Sequence, residues 1–97
     1  MFLYNLSIII EESAHLDVLI FIKELIQKQE AKELKLLKML HSPHEGFTYC
    51  LQIIVSNEQD IISIQSNLMS EIQEFISLNH PQKAFLFDSV MQYIKHN

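Results

Sequence analysis

Two histidines and a glutamate lie close together near the middle of the chain, at His41, His44 and Glu45. Imidazole and carboxylate groups are ligands that zinc accepts. A zinc site also needs a third or fourth convergent ligand, and none follows at a recognisable motif spacing. We therefore interpret this cluster as a solvated turn, and we expect neither a metal nor another cofactor.

Cys50 is the single cysteine of the chain. A nucleophilic thiolate needs a neighbouring base and a lowered pKa. A cysteine within a strand is more often a small buried hydrophobic residue, and we favour that interpretation. One cysteine forms no internal disulfide, which is typical of the reducing cytoplasm, so we expect a cytoplasmic protein.

Asn5 lies in the middle of a strand-like segment, although asparagine is depleted in strands. Domains that pair into a dimeric α/β barrel include cofactor-free monooxygenases and haem-degrading enzymes, some of which use an asparagine of the sheet. By this analogy Asn5 could orient a small substrate. The simpler interpretation is that its amide bonds across a dimer interface or to a neighbouring strand.

Aromatic residues occur in pairs on two strand-like segments, as Phe2 with Tyr4 and Phe47 with Tyr49. RNA-recognition domains use aromatics in this arrangement to stack bases. This chain has a formal net charge of -5, with 7 lysines and no arginine, and phosphate binding depends on basic residues. We expect these aromatics to pack in the core, and we expect no nucleic acid partner. No apolar stretch is long enough to span a membrane, so we expect no membrane association.

Alternation of apolar and polar residues predicts strands at residues 2–10, 47–55 and 84–94. Residues 34–41 suit either a strand or a helix, because Leu36, Leu37 and Leu40 also fit a helical stripe. We predict a strand there, since the turn cluster Ser42–Gly46 would join it to the next strand as a hairpin.

A first helix is predicted after Ser13, which can cap its N-terminus. Its apolar side chains recur at helical spacing, and the stripe consists of Val18, Phe21, Ile22, Leu25 and Ile26, widened by Leu16, Leu19 and Ile20.

A second helix is predicted from the capping box formed by Ser56 and Gln59 to the stop signal Asn79-His80-Pro81. Its apolar stripe consists of Ile61, Ile64, Leu68, Ile72 and Phe75, flanked by Ile62, Met69 and Ile76.

The element order β-α-β-β-α-β predicts a single α+β domain over residues 1–97 with a ferredoxin-like fold. Its four-stranded antiparallel sheet would carry both helices on one face, because crossover connections are right-handed. The other face would stay open, and its polar side chains are the candidate binding residues: Asn5, Ser7, Thr48, Cys50 and Gln52. Leu3, Ile9 and Ile54 make this face partly apolar, so we expect a homodimer through it, with a dimeric α/β barrel as one possible arrangement.

Three stretches carry a resemblance to a known family: Tyr4–Ser7 with Glu11–Ser13, then Gly46–Gln52, then Lys83–Ser89. In order and spacing they resemble the short bacterial proteins called the domain of unknown function 4286 family. The resemblance implies a ferredoxin-like domain that dimerises sheet to sheet, and it implies no activity. Asp88 departs from the pattern, since a basic residue is expected there, and this argues against an anion site.

Three functional hypotheses follow. The first is a small interaction module that homodimerises through the open face and has no chemistry of its own. The second is a cofactor-free dimeric α/β-barrel enzyme, similar to the monooxygenases, acting on a small apolar molecule. The third is a regulatory domain resembling the ACT type that binds a small-molecule ligand, although that type uses glycine-rich loops and this chain has 1 glycine.

Overall fold

The computed structural model describes residues 1–29 and 33–96. Four strands and three helices follow one another along the chain: β1 (Phe2–Ile10), α1 (His15–Gln27), β2 (Lys35–Lys38), β3 (Phe47–Val55), α2 (Glu58–Ile64), α3 (Ser70–Asn79) and β4 (Ala84–Gln92). The strands form one antiparallel sheet in the order β2-β3-β1-β4. This arrangement confirms the predicted α+β, ferredoxin-like fold.

Strand β1 lies at the centre of the sheet and pairs along its whole length with both β3 and β4. Its alternate side chains Tyr4, Leu6, Ile8 and Ile10 are at most 1% exposed, because the helices cover this side of the sheet. The predicted bounds of β1 and β3 are confirmed, since period-two alternation is unambiguous when one face is buried.

The ambiguous segment forms strand β2, although it is shorter than predicted. Lys35 pairs with Gln52 and Lys38 pairs with Tyr49, and the backbone N–H of Met39 then donates to the Thr48 carbonyl at 2.8 Å. The strand thus contacts only the middle of β3 within the described chain.

Helix α1 begins later than the predicted cap at Ser13, and that prediction is wrong. A short 3₁₀ turn over Glu12–Ala14 precedes the helix. In this turn the backbone N–H of Ala14 donates to the Glu11 carbonyl at 3.0 Å. The prediction that Leu16 and Ile20 widen the apolar stripe of this helix is also wrong, because these side chains are 71% and 54% exposed on its outer side.

The predicted second helix is one helical segment with an interruption. Asn57 caps it, and not Ser56, since the Asn57 Oδ1 accepts from the Asp60 N–H at 3.0 Å. A π-helical turn over Gln65–Met69 separates α2 from α3. Most of the predicted stripe is buried, whereas Ile62 is 53% exposed.

Helix α3 ends at Asn79, which is the first residue of the predicted stop signal Asn79-His80-Pro81. Two contacts then hold α3 beside α1: Phe21 stacks on Phe75 with ring centroids 4.1 Å apart, and the His80 Nε2 lies 2.6 Å from the Asp17 Oδ2. The helices therefore form one layer on one face of the sheet.

Strand β4 forms the second edge of the sheet. It ends at Gln92, two residues before the predicted end, and the Tyr93 N–H still donates to the Met1 carbonyl at 3.1 Å. All nine residues of β4 pair with β1 on one side. Within the residues that the structure describes, no strand lies on the other side.

The single glycine, Gly46, lies where the β2–β3 loop enters β3. Its φ angle is +84°, and a Cβ atom there would come within 2.3 Å of the Ile10 carbonyl oxygen. Only glycine fits this close approach without displacement of the backbone.

Candidate functional site

The candidate site is the sheet face opposite the helices, which we call the open face. The strand register brings these side chains to the same side of the sheet: Leu3, Asn5, Ser7, Ile9, Lys35, Leu37, Met39, Thr48, Cys50, Gln52, Ile54, Phe85, Phe87, Ser89 and Met91. All five candidate binding residues of the sequence belong to this set.

A chain of hydrogen bonds joins the polar side chains at the centre of the open face. The Gln52 Nε2 donates to the Asn5 Oδ1 at 3.0 Å, and the Asn5 Nδ2 donates to the Ser7 Oγ at 3.1 Å. The Ser7 Oγ lies 3.7 Å from the Cys50 Sγ. Asn5 therefore bonds to a neighbouring strand, which was the simpler of its two interpretations.

Thr48 differs from the other four candidates because the β2–β3 loop covers it. It is 3% exposed, and its hydroxyl lies 3.0 Å from the Ser42 Oγ. The Ser42 Oγ in turn accepts from the His44 N–H at 3.1 Å. The sequence did not indicate this cover, because it depends on how the loop folds back over the sheet.

Cys50 is half-buried, so the expectation of a buried hydrophobic residue is wrong. Its side chain points to the open face, where Ser7 flanks it on β1 and Leu37 flanks it on β2. In the described part of the chain no histidine lies within hydrogen-bonding distance of its sulfur. The geometry therefore gives this thiol no base that would activate it.

The two edge strands carry long apolar side chains on the open face. Phe85, Phe87 and Met91 on β4 are 56%, 59% and 47% exposed. On the opposite edge, Leu37 and Met39 are 44% and 41% exposed. The open face thus has a polar centre between two apolar margins.

A depression of about 290 Å³ lies within the open face, between the β2–β3 loop and β4. Ser7 and Thr48 belong to its floor, and Ile9, Met39 and Phe87 belong to its walls. Two of the five candidate residues, Ser7 and Thr48, thus line this depression, and Gln52 lines a second one of about 200 Å³ with Leu3 and Ile54.

The helix-covered face contains a polar cluster that the sequence analysis missed. The buried Tyr4 hydroxyl donates to the Asp88 Oδ2 at 2.9 Å, and the Gln65 Nε2 donates to the same oxygen at 3.0 Å. Burial and the hydrogen bond to Asp88 raise the pKa of Tyr4 well above its usual value, so the phenol stays protonated. Asp88 alternates with apolar residues on β4, and this exception to the pattern was the available signal.

His15 forms a second missed cluster at the start of α1. Its ring stacks on Phe47 with centroids 3.6 Å apart, and its Nε2 lies 2.7 Å from the Tyr49 hydroxyl. Burial, and secondarily the positive charge of Lys38, lower the pKa of His15. A neutral His15 ring can accept a hydrogen bond from the Tyr49 hydroxyl at Nε2, and a protonated ring cannot.

The remaining sequence-based interpretations concern exposed or core residues. Tyr4 and Tyr49 are buried on the helix-covered face, as core packing requires. His41, His44 and Glu45 are exposed. Over residues 1–29 and 33–96, no three His, Cys, Asp or Glu side chains converge in a way that could hold a metal ion. No helix of that same part of the chain is long and apolar enough to cross a membrane.

The sequence matches the family described as Domain of unknown function (DUF4286) over residues 1–94. The chain belongs to the DUF4286 family. The resemblance in three stretches of the sequence is thereby confirmed. A search of curated proteins finds no match to the chain.

Two solved structures resemble this DUF4286 domain in fold. The de novo designed protein Foldit4 has a TM-score of 0.59 at 12% identity, and the alignment covers 96% of this chain and 98% of that one. The apo form of CPII from Thiomonas intermedia K12, a nitrogen regulatory PII-like protein, has a TM-score of 0.55 at 16% identity, with 96% and 92% covered. At such low identity the likeness concerns the fold alone.

Proposed function

We propose that this DUF4286 domain is a small interaction module that pairs with a second copy of itself through the open face. The observation that carries the proposal is the row of exposed apolar side chains along both margins of that face, above all Phe85 and Phe87. Burial of such side chains is the main favourable term in protein association, at roughly 25 cal/mol per Å² of apolar surface.

The distribution of charge supports a second copy as the partner. The chain carries 12 Asp and Glu and 7 Lys, but the open face contains no acidic side chain and one basic one, Lys35. Two identical acidic proteins normally repel each other. In the described chain, Glu33 borders one end of the face beside Ile54, and Glu11, Glu12 and Glu45 border the other end beside Ile9. The centres of two open faces can still approach without like charges in contact, and Lys35 is the one charge that the face itself offers a charged partner.

The size of the open face is also suitable. Three nine-residue strands and one four-residue strand, at ~3.3 Å per residue and ~4.8 Å apart, give a footprint of roughly 500 Å². A standard interface buries about 800 Å² of accessible surface per partner. The flat footprint is smaller than this, but the protruding Phe85, Phe87 and Met91 side chains add accessible area that it does not count.

The cytoplasm is the compartment in which we place the module. Its one cysteine, Cys50, is unpaired and half-buried, and a free thiol is most compatible with reducing surroundings. Asn5, the residue on which an enzyme would depend, has both its amide oxygen and its amide nitrogen bonded within the face. That pairing favours the interaction module over the cofactor-free enzyme.

A dilution series measured by size exclusion with light scattering tests the proposal. The chain offers a matched pair of isoleucines, since Ile54 on the open face and Ile20 on the outside of α1 are both 54% exposed. We expect the parent chain and Ile20→Lys to elute with the mass of a dimer. We expect Ile54→Lys to dissociate at a concentration at least about tenfold higher, because its ammonium group would be desolvated in the interface.

A monomeric parent chain at all concentrations would contradict the proposal. Equal dissociation of the two lysine variants would contradict it as well, since the interface would then lie elsewhere.

A further inference from the structure

Side-chain length changes along one row of residues that crosses the open face. The row runs across the four strands from Leu37 through Cys50 and Ser7 to Phe87, as the register of neighbouring strands shows. The two outer members are long and exposed, at 44% and 59%, and the two inner members are short and half-buried. This row is therefore a trough with its floor at Ser7 and Cys50, and longer side chains of the same two strands, such as Ile9 and Gln52, flank that floor.

Two such faces cannot fill the space between them. Facing sheets in proteins lie about 10 Å apart, a distance set by long side chains that interdigitate. Phe87 and Leu37 can span it, but serine and cysteine side chains reach only about 2.5 Å from their own backbone. Pairing through the margins therefore leaves a gap over Ser7 and Cys50, and Ser7 also lines the depression of about 290 Å³.

The lining determines what can occupy this gap. Its walls are mostly apolar, with Met39 and Phe87 on opposite sides and Ile9 at one end, and the exposed loop adds Pro43 and the His44 imidazole. Its floor offers the Ser7 hydroxyl, which already pairs with Asn5 and Cys50 and so keeps one hydrogen-bonding site for a further partner. A buried water needs about three polar partners, and an empty gap of this size costs stability. An apolar molecule with a single polar group suits the lining better than water.

We propose that two copies of this chain enclose a binding site for a small uncharged aromatic molecule with one hydrogen-bonding group. This inference rests on the proposed pairing of the open faces. The ring lies between Phe87 and Met39, where aromatic and sulfur groups attract a ring, and the polar group meets the Ser7 hydroxyl. A charged head group is disfavoured, because no Asp, Glu or Lys lines the depression, its one imidazole is that of His44 on the exposed loop, and the desolvation of the charge would not be compensated.

Three probes with the same ring and different head groups test the proposal: benzyl alcohol, benzoate and benzylammonium. Each is titrated into the ¹⁵N-labelled full chain, and backbone amide shifts are recorded by NMR. We expect benzyl alcohol to shift the amides of Ser7, Thr48 and Phe87 saturably. We expect the two ions to bind at least about tenfold more weakly.

Two variants fill the trough from neighbouring strands, Ser7→Leu on β1 and Cys50→Leu on β3, so one remains informative if the other does not fold. Ser77→Leu on the exposed side of α3 is the matched control. We expect each trough variant to weaken benzyl alcohol binding at least about tenfold, and the control to leave it unchanged. The same samples are measured by light scattering.

A dimer that binds none of the probes, or all three equally, would overturn the binding site and leave the pairing intact. Shifts centred on helix residues would overturn it too. A monomer without binding would overturn the pairing and the site together, and a monomer that binds benzyl alcohol would overturn the enclosure by two copies.

Discussion

The two faces of the sheet are built from the same strands and differ in how far the chain itself completes them. On the helix-covered face, Tyr4 is 1% exposed and its hydroxyl is bonded to Asp88. On the open face, Phe87 is 59% exposed and nothing in the described chain covers it. Alternate residues of one strand thus meet either a finished core or an apolar surface that faces solvent.

This difference separates two kinds of energy. Side chains on the helix-covered face stabilise the single folded chain, because they leave water when it folds. Apolar side chains on the open face contribute little to that step, and their burial becomes favourable only on association. Substitutions on the two faces should therefore change different measurements, and the following predictions test that separation in order of decreasing effect.

The largest effect is expected at Leu68, which is 4% exposed and lies in the π-helical turn between α2 and α3. Leu68→Ala removes buried methyl groups and leaves a cavity, so unfolding free energy should fall by about 2–5 kcal/mol. Ile54→Ala on the open face is the control, and it should cost less than about 1 kcal/mol in dilute solution. Urea denaturation measures both. A cost below roughly 1 kcal/mol for Leu68→Ala would show that the core assignment is wrong.

A smaller effect is expected from acid, through His15 on the helix-covered face. Its pKa is lower in the folded chain than in the unfolded chain, so folding favours the neutral ring. The stability it provides is present above the unfolded value near pH ~6.5 and is lost as the pH falls below it. Urea midpoints of the parent chain and of His15→Phe, measured on both sides of this pH, isolate the contribution.

His15→Phe keeps the stacking on Phe47 and removes the titrating group. The parent chain should lose more stability on acidification than the variant, because the two chains differ only at this residue. Parallel pH dependences of the two chains would be inconsistent with the role assigned to His15.

The smallest effect on the folded chain is expected at Asn5. Asn5→Leu removes two hydrogen bonds from a half-buried position of the open face, and it should change unfolding free energy in dilute solution by no more than about 0.5 kcal/mol. The dimer mass measured by light scattering should change instead. A large loss of single-chain stability would mean that the open face contributes to the core after all.

The course of the chain was predictable where one physical signal dominated. Alternation fixed β1 and β3 to the residue, because a shift by one position would turn every apolar side chain to the wrong face. Helix starts were less predictable. Ser56 and Asn57 are both good caps and adjacent, so composition could not decide between them, and Leu16 and Ile20 extend an apolar surface around α1 that periodicity alone cannot divide.

The candidate site was predictable as a set of residues and unpredictable as a shape. Alternation placed Asn5, Ser7 and Cys50 on one face. The burial of Thr48 depends on a loop that folds over it, and the bond between Tyr4 and Asp88 joins residues 84 positions apart. Such pairs arise from the whole topology, and no local pattern in a single sequence reports them.

The free edge at β4 has a consequence for crowded solutions. When two open faces meet, both faces become buried. Each copy still presents the outer edge of the nine-residue strand β4, which no strand of the described chain covers. Exposed edges of this length add further strands from other molecules, and Phe85 and Phe87 flank this one with apolar surface. Growth beyond the pair would therefore proceed sideways, as a ribbon of continuous sheet, and it would begin at β4 because β2 offers only four residues.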